Sequence, residues 1–193
     1  LVSDEIHQDL ALFGNKHHSF NTVDHRFKDF AIILSSATKT FNIAGTKNSF
    51  AIIQNPKLRK KFQRVQLANN QHEVPTIGMI TTEVAFTHGK AWLEELKKVV
   101  EKNINYLSDY LEENTKIKVM KPEGTYLIWL DFSAYGIEQP QLDEKLQKEA
   151  KVVLNDGAHF GNEGKYFARL NAATPFETIV EASRRIASVF SKQ

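Results

Sequence analysis

The sequence contains no cysteine among its 193 residues. This absence excludes disulfide bonds, thiolate metal ligands and cysteine nucleophiles. Neither sign of charge dominates, because 25 lysine and arginine residues nearly balance 23 aspartate and glutamate residues. The net charge of +2 therefore gives no reason to expect nucleic acid or an anionic membrane surface as a partner.

Long apolar runs are also missing, since no stretch approaches the roughly 20 apolar residues that span a bilayer. Repeats, low-complexity tracts and Gly/Ser linkers are absent as well. Histidines cluster at positions 17, 18 and 25, but no carboxylate or cysteine spacing completes a metal site around them. We therefore predict a polar loop there and no metal.

The stretch from Ser35 to Gly45 is the part of the sequence around which the other motifs are arranged. An apolar run at residues 31–34 precedes it and predicts a buried strand. Lys39 follows among small and apolar residues, where we expect its ammonium group to be poorly solvated. Desolvation lowers the pKa of a lysine, and the free amine is the form that attacks a carbonyl carbon. Taken alone, the pattern is more typical of a lysine in a polar loop.

Arg169 interrupts the apolar strand that residues 166–171 predict. A buried guanidinium requires an anion, because an unpaired charge is costly to remove from water. From the pattern alone, an internal salt bridge and a bound anion are equal alternatives. Thr174 to Glu177 has the form of a capping box and predicts the start of a final helix.

Several other patterns predict local structure. Asn55-Pro56 begins a helix, since asparagine caps helices and proline suits the first helical position. Residues 75–87 are small and apolar and predict a buried helix. Gly124 suits a turn with positive φ. Residues 152–154 predict a strand that is followed by a turn at residues 155–157.

Two motifs together resemble a known family. Ser3 to His7 and Ser35 to Gly45 are similar to fold-type I pyridoxal-phosphate (PLP) enzymes of the aminotransferase class I/II superfamily. Within it, the chain most resembles the C-S lyase branch, the MalY/PatB-type cystathionine β-lyases. The Asp-Glu-Ile-His motif indicates this branch, as do three later groups: Trp92-Leu93, Gly124-Thr125-Tyr126 and Arg169-Leu170-Asn171. The resemblance covers essentially the whole chain.

The resemblance implies an α/β fold in two parts. Residues 1–88 would be the C-terminal portion of the large, mostly parallel PLP-binding domain. Residues 89–193 would be an interdomain helix and a small α+β domain. The chain would thus be the C-terminal half of such an enzyme. The other half would supply a glycine-rich phosphate turn, an aromatic residue that stacks on the cofactor ring and an asparagine beside the ring oxygen.

The resemblance also implies roles for individual residues. Lys39 would bind PLP covalently and later take the Cα proton of the substrate. Asp4 would pair with the pyridinium nitrogen of the cofactor, and Arg169 would bind the substrate's α-carboxylate. His7 stands where many relatives of the wider superfamily carry a tyrosine. It would either contact the cofactor or support its neighbours.

The cofactor phosphate would be held by Ser36, three residues before Lys39, and by Lys47, eight residues after it. Relatives often carry arginine at the second position, and lysine supplies the charge without the bidentate fork. Ser35 and Thr38 are alternative hydroxyl donors that the sequence does not rank.

The function implied is PLP-dependent β-elimination from a sulfur amino acid such as cystathionine, giving a thiol, pyruvate and ammonia. An aminotransferase shares the same site residues and stays open as an alternative. A third alternative is an inactive fragment that serves only as a structural or dimerising domain. We expect a cytoplasmic homodimer without nucleic-acid or membrane partners.

Overall fold

The computed structural model describes residues 1–71 and 73–192 of the protein. The chain divides into two compact units, Leu1–Glu95 and Leu96–Gln193. The division falls inside a long helix, whereas the sequence places the change of domain at residue 89, just before that helix begins. None of the helices in the described ranges combines the length and the apolar character that crossing a membrane requires.

Short strands and helices alternate in the first unit. The strands are β1 (Val2–Asp4), β2 (Ile32–Ser35) and β3 (Phe50–Ile52). The helices are α1 (Phe20–Val23), α2 (Ala37–Thr40), α3 (Pro56–Ala68), α4 (Thr76–His88) and the start of α5 (Lys90–Asn114). Short 3-10 helices lie at Gln8–Leu10, His25–Asp29 and Ala44–Thr46.

β2 is the central strand of the first unit's sheet. β1 pairs with it in parallel, and β3 pairs with its other side in the antiparallel sense. The apolar run before Ser35 therefore forms a strand, as predicted, and Ile33 within it is fully buried. Because β1 and β2 are parallel, their carboxyl ends meet at the same edge of the sheet.

Asn55 begins α3 as the sequence predicts. Its side-chain oxygen accepts the N–H groups of Lys57 at 2.9 Å and Leu58 at 3.3 Å. Pro56 occupies the first helical position, where a missing N–H removes no hydrogen bond. Every residue of α3 is at least partly exposed, so the basic side chains of this helix form a solvated surface.

α4 is a helix, as predicted, but the prediction that it is buried is wrong. Five of its apolar side chains are between 46% and 59% exposed, and we call them the α4 apolar face: Ile77, Met79, Ile80, Val84 and Phe86. The helix is attached through Gly78 and Thr82, and Phe86 also packs edge-to-face against Phe41 and Phe50, with ring centroids 6.0 Å and 6.2 Å apart. Gly78 is buried, and Asn48 donates to the Gly78 carbonyl at 2.9 Å and to the Thr82 hydroxyl at 2.7 Å. An apolar surface therefore remains open to another protein surface.

The second unit contains a four-stranded sheet and the remainder of α5. Its strands are β4 (Lys118–Met120), β5 (Leu127–Asp131), β6 (Asn155–Asp156) and β7 (Phe167–Asn171). Its other helices are α6 (Gln141–Glu144), which continues as a π-helical turn at Lys145–Glu149, and α7 (Phe176–Val189). Short 3-10 helices lie at Ser133–Tyr135, Gly157–Phe160 and Asn162–Tyr166.

The sheet of the second unit is antiparallel, with the order β4-β5-β7-β6. Alternate residues of its central strands are buried, as expected for a sheet with one face toward a core. These residues are Ile128, Leu130, Ala168 and Leu170. The core also contains apolar residues of α5 and α7: Ile104, Leu107, Leu111, Ile179 and Ile186. The other face of the sheet is only half-buried.

Three local predictions in the second unit are wrong. Residues 152–154 do not form a strand, because the register of β7 pairs it with Asn155–Asp156 instead. The positive φ lies at Thr125, with φ of 64°, rather than at Gly124. α7 begins after Pro175 without a side-chain capping bond. Each outcome depends on a contact that is distant in sequence or on backbone geometry that residue type alone does not determine.

Candidate active site

Asp4 and Lys39 follow the carboxyl ends of two neighbouring parallel strands. Asp4 is the last residue of β1 and pairs in register with Leu34, one residue before the end of β2. Lys39 lies in α2, which begins two residues after β2 ends. The carboxyl edge of parallel strands is where α/β proteins bind ligands. The first unit therefore brings a carboxylate and a primary amine to one edge of its sheet.

The carboxylate of Asp4 is exposed and has room for a ligand. Its Oδ1 accepts the N–H of Ile6 at 3.2 Å. No cation in residues 1–71 or 73–192 forms an ion pair with it. His7, three residues further along, is half-buried. Oδ2 of Asp4 is consequently available to accept a hydrogen bond from a bound molecule.

Lys39 is exposed, which contradicts the expectation that its ammonium group is poorly solvated. Its neighbours in α2, Ala37, Thr38 and Thr40, are buried, so the small residues pack inward rather than around the lysine. In the part of the chain that the structure describes, its amine has no hydrogen-bond or ion-pair partner. Within this unit, desolvation of Lys39 therefore has to come from a bound molecule or from another protein surface.

Ser36 caps α2 and ties down the loop that carries Lys47. Its Oγ accepts the N–H of Thr38 at 3.0 Å, as the side chains of N-cap serines do. The same hydroxyl donates to the carbonyl oxygen of Asn48 at 2.5 Å, and the Thr38 hydroxyl lies 2.8 Å away. Because Ser36 is 1% exposed, its single proton is directed to protein acceptors.

Lys47 is exposed, and its backbone is left-handed, with φ of 50° and ψ of 46°. It borders a surface cavity of about 550 Å³. The cavity is otherwise lined by Ser49, Gln63, Gln66, Leu67, Gln71, Glu73 and Val74. No described carboxylate pairs with its ammonium group, so its charge is available to an anion. Ser35, an alternative hydroxyl donor, is buried and accepts a hydrogen bond from Gln8 Nε2 at 3.0 Å.

Arg169 lies on the half-buried face of β7, in register with Trp129 of β5 and Asn155 of β6. Its Nε and Nη2 donate to Asn155 Oδ1 at 3.3 Å and 3.1 Å. Its guanidinium carbon lies 4.5 Å from the centroid of the Phe160 ring. Among the described residues no carboxylate forms an ion pair with this arginine, so the internal salt bridge that the sequence left open is not formed.

Two neighbours of Arg169 were missed by sequence reasoning. The sequence pattern predicts a turn at Asn155, and Phe160 belongs to no motif. Their contact with Arg169 depends on the register between β6 and β7 and on the 3-10 helix Gly157–Phe160 that follows β6. Neither feature leaves a signal in a single sequence, because cross-strand partners are chosen by the fold.

Glu5 is a buried carboxylate directly after Asp4. It accepts hydrogen bonds from the N–H of Phe20 at 2.9 Å and the hydroxyl of Ser3 at 2.9 Å, and it pairs with His17 Nε2 at 3.0 Å. Burial raises the pKa of Glu5. The hydrogen bonds from Phe20, His17, Ser19 and Ser3 together outweigh burial, so its pKa lies below the usual range. Glu5 therefore fastens the segment around Phe20 to the end of β1.

We expect the contribution of Glu5 to stability to depend on pH. Its folded pKa is depressed, so the stabilisation is present above the unfolded value of about 4.3 and is lost as pH falls through the folded value. Glu5→Gln should therefore destabilise the protein by about 2 kcal/mol at pH 7 and by less in acid. Urea unfolding at several pH values measures this difference. A difference that stays constant from pH 7 to pH 3 would contradict the assignment.

The chain is similar to known proteins along its whole length. A family model, aminotransferase class I and II, matches residues 1–186. The chain is 40% identical over 192 residues to cystathionine beta-lyase PatB of Bacillus subtilis, covering 99% of this chain and 50% of that protein. It is 29% identical over 177 residues to protein MalY of Escherichia coli, covering 91% and 45% respectively.

Solved structures give the same result. Cystalysin from Treponema denticola, whose crystal structure contains a pyridoxal 5'-phosphate cofactor, has a TM-score of 0.95 and 35% identity. It matches 98% of this chain and 48% of its own. The PLP-bound C-S lyase from Staphylococcus hominis has a TM-score of 0.89 and 29% identity, matching 100% of this chain and 49% of its own.

The chain spans about half the length of the curated relatives it matches. The resemblance to the aminotransferase class I/II superfamily is confirmed, and so is the expected α/β fold. The match to the family model extends over nearly all of both units. The chain belongs to the aminotransferase class I and II family.

Proposed function

We propose that the natural protein containing this chain is a PLP-dependent carbon–sulfur lyase. Its substrate is a sulfur amino acid such as cystathionine, and its products are a thiol such as homocysteine, pyruvate and ammonia. The observation that carries the proposal is the position of Asp4 and Lys39 at one edge of the parallel pair β1–β2. Similarity to a cystathionine beta-lyase and to a C-S lyase supports the choice of reaction.

The residues at this edge fit PLP. Lys39 offers an exposed primary amine that has no partner in the described chain, as a covalent link to an aldehyde requires. The open oxygen of Asp4 suits a protonated ring nitrogen, because a nearby carboxylate stabilises that proton. Lys47 offers a cation to the phosphate. Ser36 could donate to the phosphate once its proton turns away from Asn48.

When bound, PLP supplies an electron sink for the electron pair released at the substrate's Cα. Lys39 would hold the cofactor through its side-chain amine, and that amine, once freed by the substrate's own amine, would take the Cα proton as a general base. The electron pair of the C–H bond becomes the Cα–Cβ double bond while the Cβ–S bond breaks and the thiolate leaves. Lys39 would then displace the nitrogen of the product and hold the cofactor again, and water would hydrolyse the released enamine to pyruvate and ammonia.

Arg169 binds the α-carboxylate of the substrate in this proposal, since its planar fork matches two carboxylate oxygens. A fixed carboxylate also fixes the orientation of the Cα–H bond that breaks. His7, which is half-buried and lies three residues after Asp4, either contacts the cofactor or supports this strand end.

An aminotransferase is the second candidate function. One relative, aromatic-amino-acid aminotransferase 2 of Thermococcus litoralis, is 27% identical over 196 residues. An aminotransferase would use Asp4, Lys39 and Arg169 in the same roles and would return the proton to the cofactor carbon instead of expelling a thiolate. The reaction product therefore separates the two functions, whereas these three residues do not.

The test is an assay of the purified natural protein with PLP and L-cystathionine. We expect equimolar pyruvate, ammonia and homocysteine, without any requirement for a keto acid. Release of a new amino acid only when 2-oxoglutarate or another keto acid is added would favour the aminotransferase. If neither assay gave a product with the cofactor bound, both enzyme functions would be contradicted. A structural or dimerising domain would then be the remaining alternative.

We also propose that the protein is a cytoplasmic homodimer. Ile77, Ile80 and Val84 of the α4 apolar face lie at helical spacing on one side of the helix and are more than half exposed. A second protein surface would remove this apolar area from water. Sedimentation equilibrium of the natural protein should give twice its chain mass, and a monomer at micromolar concentration would contradict the proposal.

A further inference from the structure

The contact between Asn155 and Arg169 is part of the strand pairing of the second unit. The two residues are direct partners across the antiparallel pair β6–β7. Side chains of cross-strand partners lie on the same face of a sheet and close to each other. Asn155 Oδ1 accepts from both Nε at 3.3 Å and Nη2 at 3.1 Å of the arginine. The register of β6 against β7 therefore places the Asn155 amide oxygen on the Nε–Nη2 edge of the guanidinium.

The adjacent Nη1–Nη2 edge of the guanidinium is open. A guanidinium has five N–H donors in one plane, and Asn155 takes those along the Nε–Nη2 edge. Nη1 of Arg169 donates to no acceptor in the described parts of the chain. The Nη1–Nη2 edge is thus left to receive the two oxygens of a carboxylate side by side.

An aromatic ring covers one face of the same group. Phe160 lies 4.5 Å from the guanidinium carbon of Arg169. Phe160 is itself held edge-to-face by Trp129, with ring centroids 5.6 Å apart and an interplanar angle of 81°. The ring keeps the guanidinium plane in place by a cation–π contact and leaves approach within the plane open. Neither Phe160 nor Asn155 neutralises the charge.

The neutrality of Asn155 is the decisive property. A carboxylate at the same position could hold the Nε–Nη2 edge as well as an amide does. It would also form an ion pair with Arg169 and weaken the attraction of the guanidinium for a second anion. An amide oxygen orients the fork and leaves the full positive charge for a ligand.

We propose that Asn155 is a positioning residue for binding of the substrate carboxylate, which aligns Arg169 without neutralising it. The inference rests on the proposed role of Arg169 as the residue that binds the α-carboxylate. According to this inference, the enzyme prefers α-amino acids to the corresponding amines because the Asn155–Arg169 pair binds the α-carboxylate. Asn155 touches neither the reacting bonds nor the cofactor in this account.

The test compares Asn155→Asp with Asn162→Asp in the natural protein loaded with PLP. Both variants add the same charge to the second unit, and Asn162 is exposed on the neighbouring 3-10 helix without a contact to Arg169. We expect Asn155→Asp to raise KM for a sulfur amino acid about tenfold or more, with kcat within about twofold. Asn162→Asp should leave both constants unchanged.

A second substrate separates positioning from general damage. The amine that lacks the α-carboxylate but is otherwise identical makes no use of Arg169. Its KM, or its binding constant where turnover is too slow to follow, should be the same in wild type and Asn155→Asp. Asn155→Ala, which loses the clamp without adding a charge, should raise KM for the amino acid by about threefold.

Two results would overturn the inference. One is an unchanged KM for the amino acid in Asn155→Asp, and the other is an equal loss for the amino acid and the amine. If Asn155→Asp does not fold, the test is made with Asn155→Ala, and the same two results would overturn the inference. Failure of the proposed function is distinct, because the wild type itself would then show no elimination with either substrate.

Discussion

Replacing Lys39 by alanine will abolish elimination by the natural protein, with a fall in kcat of about a thousandfold or more. The lysine has two tasks in the proposed reaction, to hold the cofactor and to take the Cα proton. A positioned general base alone contributes about 10² to 10⁴ in rate. Alanine supplies neither an amine nor a base, so both tasks are lost together. Pyruvate formation from L-cystathionine at saturating PLP measures the effect.

Lys60→Ala is the matched control for this experiment. Lys60 is exposed on α3, a helix in which no residue is buried, and removing it changes the net charge by the same amount. Its activity should equal that of the wild type. If Lys39→Ala kept activity within about tenfold of the wild type, Lys39 would not be a catalytic residue.

Gly164→Ala is expected to cause the largest loss of stability, about 3 kcal/mol. A Cβ at Gly164 would run into the carbonyl group of Gly157, with 2.6 Å to its carbon atom. The atoms that the new Cβ would meet belong to the backbone of Gly157 and Ala158, so no side-chain rotation can relieve the clash. The φ angles of these two glycines are not positive, which means that close approach rather than backbone conformation requires glycine here. Urea unfolding of the natural protein measures the loss.

Gly45→Ala provides the comparison, since nothing lies within 4 Å of a Cβ built there and its φ is not positive. Alanine at that position should be neutral or slightly stabilising, because it restricts the unfolded chain. Equal unfolding midpoints for Gly164→Ala and wild type would show that the contact relaxes at little cost. The Gly157–Gly164 contact also matters for the site, because the 3-10 helix that starts at Gly157 carries Phe160.

The sequence was sufficient to locate Asp4 and Lys39 at strand ends, because local patterns determine those features. A short apolar run that leads into small hydroxyl residues predicts a buried strand and its end, and β2 ends at Ser35 accordingly. Asn55 and Pro56 predict a helix start for reasons that lie within four residues of chain. The resemblance to the family is carried by the same kind of local motif.

Features that depend on distant partners were not predictable. The apolar character of α4 predicts burial, yet Gly78 and Thr82 attach the helix and four of its large apolar side chains stay more than half exposed. The small residues around Lys39 predict a poorly solvated amine. In the structure these residues pack inward and leave the lysine exposed. The amide that clamps Arg169 comes from β6, whose register is set by β7.

The most direct test of the central claim is to find which lysine carries the cofactor. The natural protein is loaded with PLP, reduced with borohydride to fix the covalent lysine linkage, digested, and examined by mass spectrometry. We predict that the pyridoxyl group is found on the peptide that contains Lys39 and is absent from the same digest of Lys39→Ala. A label on a different lysine, or no label on a protein that is loaded with cofactor, would contradict the account.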